Sequence, residues 1–161
     1  MNAIALPWPP YTLSPNARPH YYTKARAKKD YRQKIAILGR GHQTLHDPVC
    51  AVLPVSPVRK GVDIDNALAS LKPAIDGLTD AKWWSDDSSM SRITVVNVTY
   101  CKQVKEKMMV FLAIDGGSSA MRREAQRRID DAIEIFRSAV KRGDGANGLD
   151  DLLRGGDQWT L

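Results

Sequence analysis

The chain has 161 residues, 43% of them hydrophobic and 26% charged, with 24 Lys and Arg against 18 Asp and Glu for a formal net charge of +6. That length suits one domain with one core, and the composition excludes a mainly disordered chain. No apolar run is long enough to span a bilayer, and Met1–Pro10 lacks a cationic stretch followed by an apolar segment, so neither a membrane span nor a secretory signal is expected.

Ala3–Leu6 predicts an opening strand, ended by Pro7-Trp8-Pro9-Pro10 and a loop to about His20. Lys24–Leu38 predicts a helix, because Ala27, Tyr31, Ile35 and Leu38 recur at helical spacing while basic residues fill much of the other face. Gly39 and Gly41 stop it. Val49–Val55 is β-branched and bounded by Pro48 and Pro57, which predicts a strand holding Cys50 as a buried, reduced thiol. A second helix is expected from Asp65 to Leu78, with Leu68, Leu71, Ile75 and Leu78 inward and a kink or break at Pro73. Residues 92–100 and 107–114 predict two strands, with a hairpin turn over the polar segment Cys101–Glu106. After Gly116-Gly117, residues 119–142 predict a charged helix with Met121, Ala125, Ile129, Ile133, Phe136 and Val140 along one side, facing the core or a partner subunit. Gly143–Gly148 reads as a flexible break before a short tail. The expected class is α+β, in the order β-α-β-α-β-β with a C-terminal helical extension: one domain over 1–115, then helix and flexible tail over 116–161.

Charge is unevenly placed. Residues 1–62 hold ten basic residues and two acidic ones, whereas residues 63–115 hold six basic and eight acidic. A basic front half followed by a carboxylate-rich middle suits a protein that grips a polyanion and sets metal ligands against it. Within that middle, Asp63 and Asp65 flank one apolar residue, so in extended backbone both carboxylates project to one side while Ile64 turns inward. Such a pair repels itself unless a cation neutralises it, and Mg²⁺ is the usual partner of oxygen ligands. From spacing alone, Asp65 serves equally as a helix cap and Asp63 as a solvated turn residue. A calcium loop starting at Asp63 is excluded, since its sixth and twelfth positions are Leu68 and Ala74 rather than Gly and Glu. The second acidic feature is Trp83-Trp84-Ser85-Asp86-Asp87-Ser88, where at least one tryptophan is expected to bury against the second helix. His42 and His46 have zinc-compatible spacing but lie between Gly41 and Pro48 with no third ligand singled out, and read as a surface loop.

Leu6-Pro7-Trp8-Pro9-Pro10, then Asp63-Ile64-Asp65-Asn66, Asp76-Gly77-Leu78 and Trp84-Ser85-Asp86-Asp87 follow one another in an order that resembles the RusA-type crossover-junction endodeoxyribonucleases of bacteria and their phages. Asn16, followed by Tyr21-Tyr22, is similar to that family's asparagine-aromatic segment, and the resemblance covers about residues 3–113. It implies a cytoplasmic homodimer that binds four-way junction DNA and nicks two opposing strands with Mg²⁺, or Mn²⁺ in its place, and without a small-molecule cofactor. It implies Asp63, Asp65 and Asp87 as catalytic metal ligands, with Asp86 auxiliary. The family's catalytic lysine matches Lys72 when counted back from Asp76-Gly77-Leu78. Counted forward from Asn66 the position is Ala69, because this helix is longer by three residues. Contacts to DNA would come from Asn16, Arg18, Lys24, Arg26, Lys28, Lys29, Arg59 and Lys60. The alternative is a non-catalytic accessory protein for branched or single-stranded DNA; one Asn or Ala among the three aspartates would have favoured it.

Overall fold

A computed structural model describes residues 1–59, 64–84 and 92–154. In chain order they form β1 (Asn2–Pro7), a 3₁₀ turn (Tyr11–Leu13), α1 (Tyr21–Leu38), β2 (Pro48–Ser56), α2 (Ile64–Ala69), α3 (Lys72–Asp80), β3 (Arg92–Val95), β4 (Thr99–Tyr100), β5 (Met108–Asp115), α4 (Ser119–Lys141) and α5 (Gly145–Arg154). The class is α+β around one mixed sheet, ordered β1-β5-β2-β3 with β4 also on β2.

Strand pairing departs from the expected hairpin. β5 runs antiparallel between β1 and β2, while β3 and β4 lie parallel on the far side of β2. The segment Cys101–Glu106 therefore crosses from one side of β2 to the other instead of turning between neighbours. The single strand expected over 92–100 is also divided. Val52 pairs with Val95 but Val55 pairs with Thr99, so residues 96–98 stand opposite only Leu53 and Pro54. A proline cannot donate to the ladder, and in a central strand it belongs at such a bulge.

Alternation along β1, β2 and β5 sends side chains to two buried faces. Val49, Ala51, Leu53, Val55, Val110, Leu112 and Ile114 pack with Ile129, Ile133 and Phe136 of α4 and with Leu149 and Leu152 of α5. On the other face Ile4, Leu6, Cys50, Val52, Met109 and Phe111 meet Tyr31 and Ile35 of α1, Ala74 and Leu78 of α3, and Trp83 and Trp84. Burial pushes the Cys50 thiol up to about 12, so it stays a neutral thiol at ordinary pH. The inward stripe of α1 ends at Ile35: Leu38 is 44% exposed, because Gly39 instead sits under Trp83, whose Nε1 donates to the Gly39 carbonyl at 2.8 Å. Among the described residues no helix is long and apolar enough to cross a membrane.

The helix expected over 65–78 is two helices, joined at Ser70-Leu71 rather than at Pro73. Proline is accommodated as the second residue of α3, where its missing donor has no partner to lose. Met121 is 52% exposed, and Ala132 and Ala139 join the inward side of α4. The break expected over Gly143–Gly148 is a compact cap: Gly143 takes φ 86°, its amide donates to the Val140 carbonyl and that of Asp144 to Ala139. α5 then starts at Gly145, where a flexible tail was expected.

Gly77 explains the Asp-Gly-Leu step structurally. A Cβ there would lie 2.6 Å from the Arg32 carbonyl oxygen and 2.9 Å from Ile35 Cβ, so α3 rests on the α1 backbone only without a side chain. In an open helix Gly→Ala gains up to ~1 kcal/mol. Here Gly77→Ala should instead destabilise by about 1–3 kcal/mol through overpacking, read as a lower midpoint in urea with an unchanged slope.

Candidate functional site

The C-terminal ends of β1 and β2 and the start of β5 share one end of the sheet, since Pro7 pairs with Met108 and Val55 with Met108 on its other side. Over that end lies a cleft of about 250 Å³, lined by Trp8, Pro9, Pro10, Tyr11 and Ser14 on one wall and Asn66, Ala67 and Ser70 on the other, with Lys107 beside them. Its walls are built firmly. Pro10 leads into the 3₁₀ turn, Leu13 is buried as an anchor, and the Tyr31 hydroxyl donates to the Pro7 carbonyl at 2.8 Å. Opposite, the Ser70 hydroxyl donates to the Asn66 carbonyl at 2.6 Å and closes the end of α2. The Lys107 ammonium stands 5.9 Å from the centre of the Trp8 ring, within reach of a cation–π attraction.

The expected site residues distribute as follows around this end. Asp65 is exposed in the first turn of α2, next to Asn66 in the cleft wall. Asp63, Asp86, Asp87 and Lys60 lie outside the described residues. Among the described residues no group of three His, Cys, Asp or Glu side chains comes together. Asn16, Arg18, Lys24, Arg26, Lys28 and Lys29 are all exposed along the loop before α1 and on α1 itself, as are Tyr21 and Tyr22. Arg26 is 3.7 Å from Asp30, an exposed pair that takes little from its availability to an anion. Arg59 is exposed, with its guanidinium 5.6 Å from the Tyr100 ring centre.

Lys72 opens α3, 2.9 Å from Asp76, and Asp76 is also 3.9 Å from Arg32. Arg32 holds Asp80 by two hydrogen bonds of 2.6 and 2.7 Å, which keeps the Asp80 carboxyl below its usual range. The break at Ser70-Leu71 removes the two-turn register that an unbroken helix would give Lys72 and Asp65. Trp83 and Trp84 are fully buried and unavailable for stacking on a base; Trp84 Nε1 donates to Thr79 Oγ1. His42 lies in the expected loop but is half-buried. Its ring lies 4.6 Å from that of Trp83, and its nitrogens face the Gly39 and Ala3 carbonyl oxygens at 3.1 and 3.3 Å, so it is not poised to bind zinc. Sequence reading passed over Tyr11, Ser70 and Lys107. Only the β1–β5 register, which sets Met108 against Pro7, brings Lys107 to Trp8.

Fold and cleft together define an α+β protein with an aromatic and cationic cleft beside a helix that starts with Asp65. No known protein-family model matches the chain. An uncharacterized protein of Xylella fastidiosa (strain Temecula1) is similar, 39% identical over 88 residues that cover 50% of this chain. The chain spans 58% of the length of that curated relative.

Proposed function

We propose that the protein is a RusA-type, Mg²⁺-dependent endonuclease that resolves four-way and other branched DNA by paired nicks in recombination, repair or replication. One observation carries the reading most: the proline-rich segment and Asn66, which follows Asp65 in the first turn of α2, are far apart in sequence yet line one cleft at the same end of the sheet. The exposed cations from Arg18 to Lys29 supply a surface for phosphates, and exposed Tyr21 and Tyr22 stand among them.

Asp63, Asp65 and Asp87, with Asp86 auxiliary, would offer the all-carboxylate donors that Mg²⁺ prefers, with Mn²⁺ able to replace it. An ion held by those carboxylates would supply charge neutralisation at the scissile phosphate. Lys72, released from Asp76 by an incoming phosphate, would offset charge that grows on the leaving oxygen. A two-fold symmetric homodimer in the cytoplasm places two such sites on matching strands of a junction.

Purified protein incubated with labelled four-way junction and with linear duplex tests the reading. Paired nicks in the junction alone, and only with Mg²⁺ or Mn²⁺, are expected. Junction binding without nicking in either ion would make the protein a non-catalytic accessory factor, and equal treatment of junction and duplex would remove the junction reading altogether. Lys72→Ala should slow nicking by on the order of a hundredfold with affinity nearly unchanged, since its charge acts chiefly in the transition state. Normal cutting by Lys72→Ala would assign the Lys72–Asp76 pair to helix stability alone.

A further inference from the structure

We infer that the cleft between Trp8 and α2 is a receptor for one unpaired nucleobase of branched DNA, stacked against Trp8 and Tyr11 with its backbone phosphate held by Lys107. The inference rests on the DNA reading above and names the feature of the branched substrate that this end of the sheet recognises.

Four observations converge on a flat, polar-edged, anion-linked occupant. The volume of about 250 Å³ lies below the range of drug-sized pockets and suits one base rather than an extended ligand. Two aromatic residues stand three positions apart beside Pro9 and Pro10, Tyr11 74% exposed and Trp8 half-buried against the core, so ring surface is presented at the cleft. The opposite wall carries half-buried Asn66, whose side-chain amide can meet the edge of a base, while the buried Ser70 hydroxyl is held on the Asn66 carbonyl. Lys107 adds a cation at the cleft itself, whereas the other cations named for DNA binding stand on the loop before α1, on α1 and after β2. A bare anion would make no use of the two rings that line the cleft. Both tryptophans of the second acidic motif are buried, so they offer no competing platform.

A base paired inside a duplex cannot enter such a cleft, whereas a nucleotide unpaired at a branch point can. The cleft would thus help the protein tell branched from linear DNA independently of the aspartates.

The test uses the full chain, without divalent metal, and three four-way junctions: fully paired, with one unpaired thymidine at the branch, and with an abasic residue in that place. The thymidine junction should bind on the order of tenfold more tightly than the abasic one, the scale of stacking one base. Tyr11→Ala and Trp8→Ala should each abolish that preference while keeping the affinity for the abasic junction, and Tyr11→Phe should retain it. Because Tyr11 is so exposed, its variants test the cleft even if Trp8→Ala folds poorly. Equal affinity for thymidine and abasic junctions, or a preference that survives Tyr11→Ala, overturns the cleft assignment and leaves the nuclease reading standing. Failure to bind any of the three junctions overturns both.

Discussion

Asp65→Asn should reduce junction nicking by on the order of a thousandfold, which corresponds to the several kcal/mol of transition-state stabilisation expected from a metal site. The substitution keeps the size and shape of the side chain and removes one negative charge from the donor set. Because Asp65 is exposed in the first turn of α2, its carboxylate contributes at most ~1 kcal/mol to the helix through the backbone dipole, so the fold should hold. Junction affinity should be equal to or slightly above that of the wild type, since a repulsive charge near the phosphates is lost. Asp63→Asn and Asp87→Asn should behave alike. The measurement is single-turnover nicking with Mg²⁺ beside an anisotropy titration without it. Undiminished rates for Asp65→Asn would leave that residue as a helix-start carboxylate only, and undiminished rates for all three variants would remove the metal site from this protein.

The parts of this fold that could be read from sequence are those in which local pattern and tertiary demand coincide. β1, β2 and α4 lie within a few residues of their expected limits, because alternating or helical apolar spacing there serves a buried face. The pairing of strands was not legible. Residues 92–100 and 107–114 look like hairpin partners because sequential strands usually neighbour each other, yet β2 takes the place between them and satisfies β5 along its whole length. Nor did periodicity reveal that α1 would stop presenting apolar residues at Ile35, since the contact that follows is made by Gly39, whose carbonyl accepts from the indole of Trp83, 44 residues away. The candidate site divides along the same line. Asp65, Asn66 and the proline-rich turn are local motifs and could be singled out, whereas Lys107 belongs to the cleft only through strand register. Gly77 was visible as part of a motif, but its reason, the Arg32 carbonyl that would stand 2.6 Å from any Cβ there, exists only once α3 lies on α1.

A chain ending at Gly116 should fail to fold cooperatively, although every residue of the resemblance to RusA-type nucleases lies before that point. α4 and α5 cover one whole face of the sheet: Val49, Ala51, Leu53, Val55, Val110, Leu112 and Ile114 are buried in one cluster with Ile129, Ile133, Phe136, Leu149 and Leu152. Removing the helices returns a wide stretch of β-branched and aliphatic surface to water at about 25 cal/mol per Å². A typical domain has only ~5–15 kcal/mol of net stability to set against that loss. Phe136→Ala gives the graded version. Phe136 is 1% exposed, so truncating it should cost about 3–5 kcal/mol from the lost transfer energy and the cavity left behind. Far-ultraviolet and near-ultraviolet circular dichroism during thermal melting reads both variants. Trp83 and Trp84, which pack on the opposite face, report there whether the remaining half keeps its tertiary order. A sharp melting transition with native near-ultraviolet signal in the chain ending at Gly116 would mean that residues 1–115 hold a core of their own and that α4 and α5 are an addition to it. A broad, structureless melt, together with a Phe136→Ala variant that melts well below the wild type, would make the two C-terminal helices the second half of the only core this sheet has among the described residues.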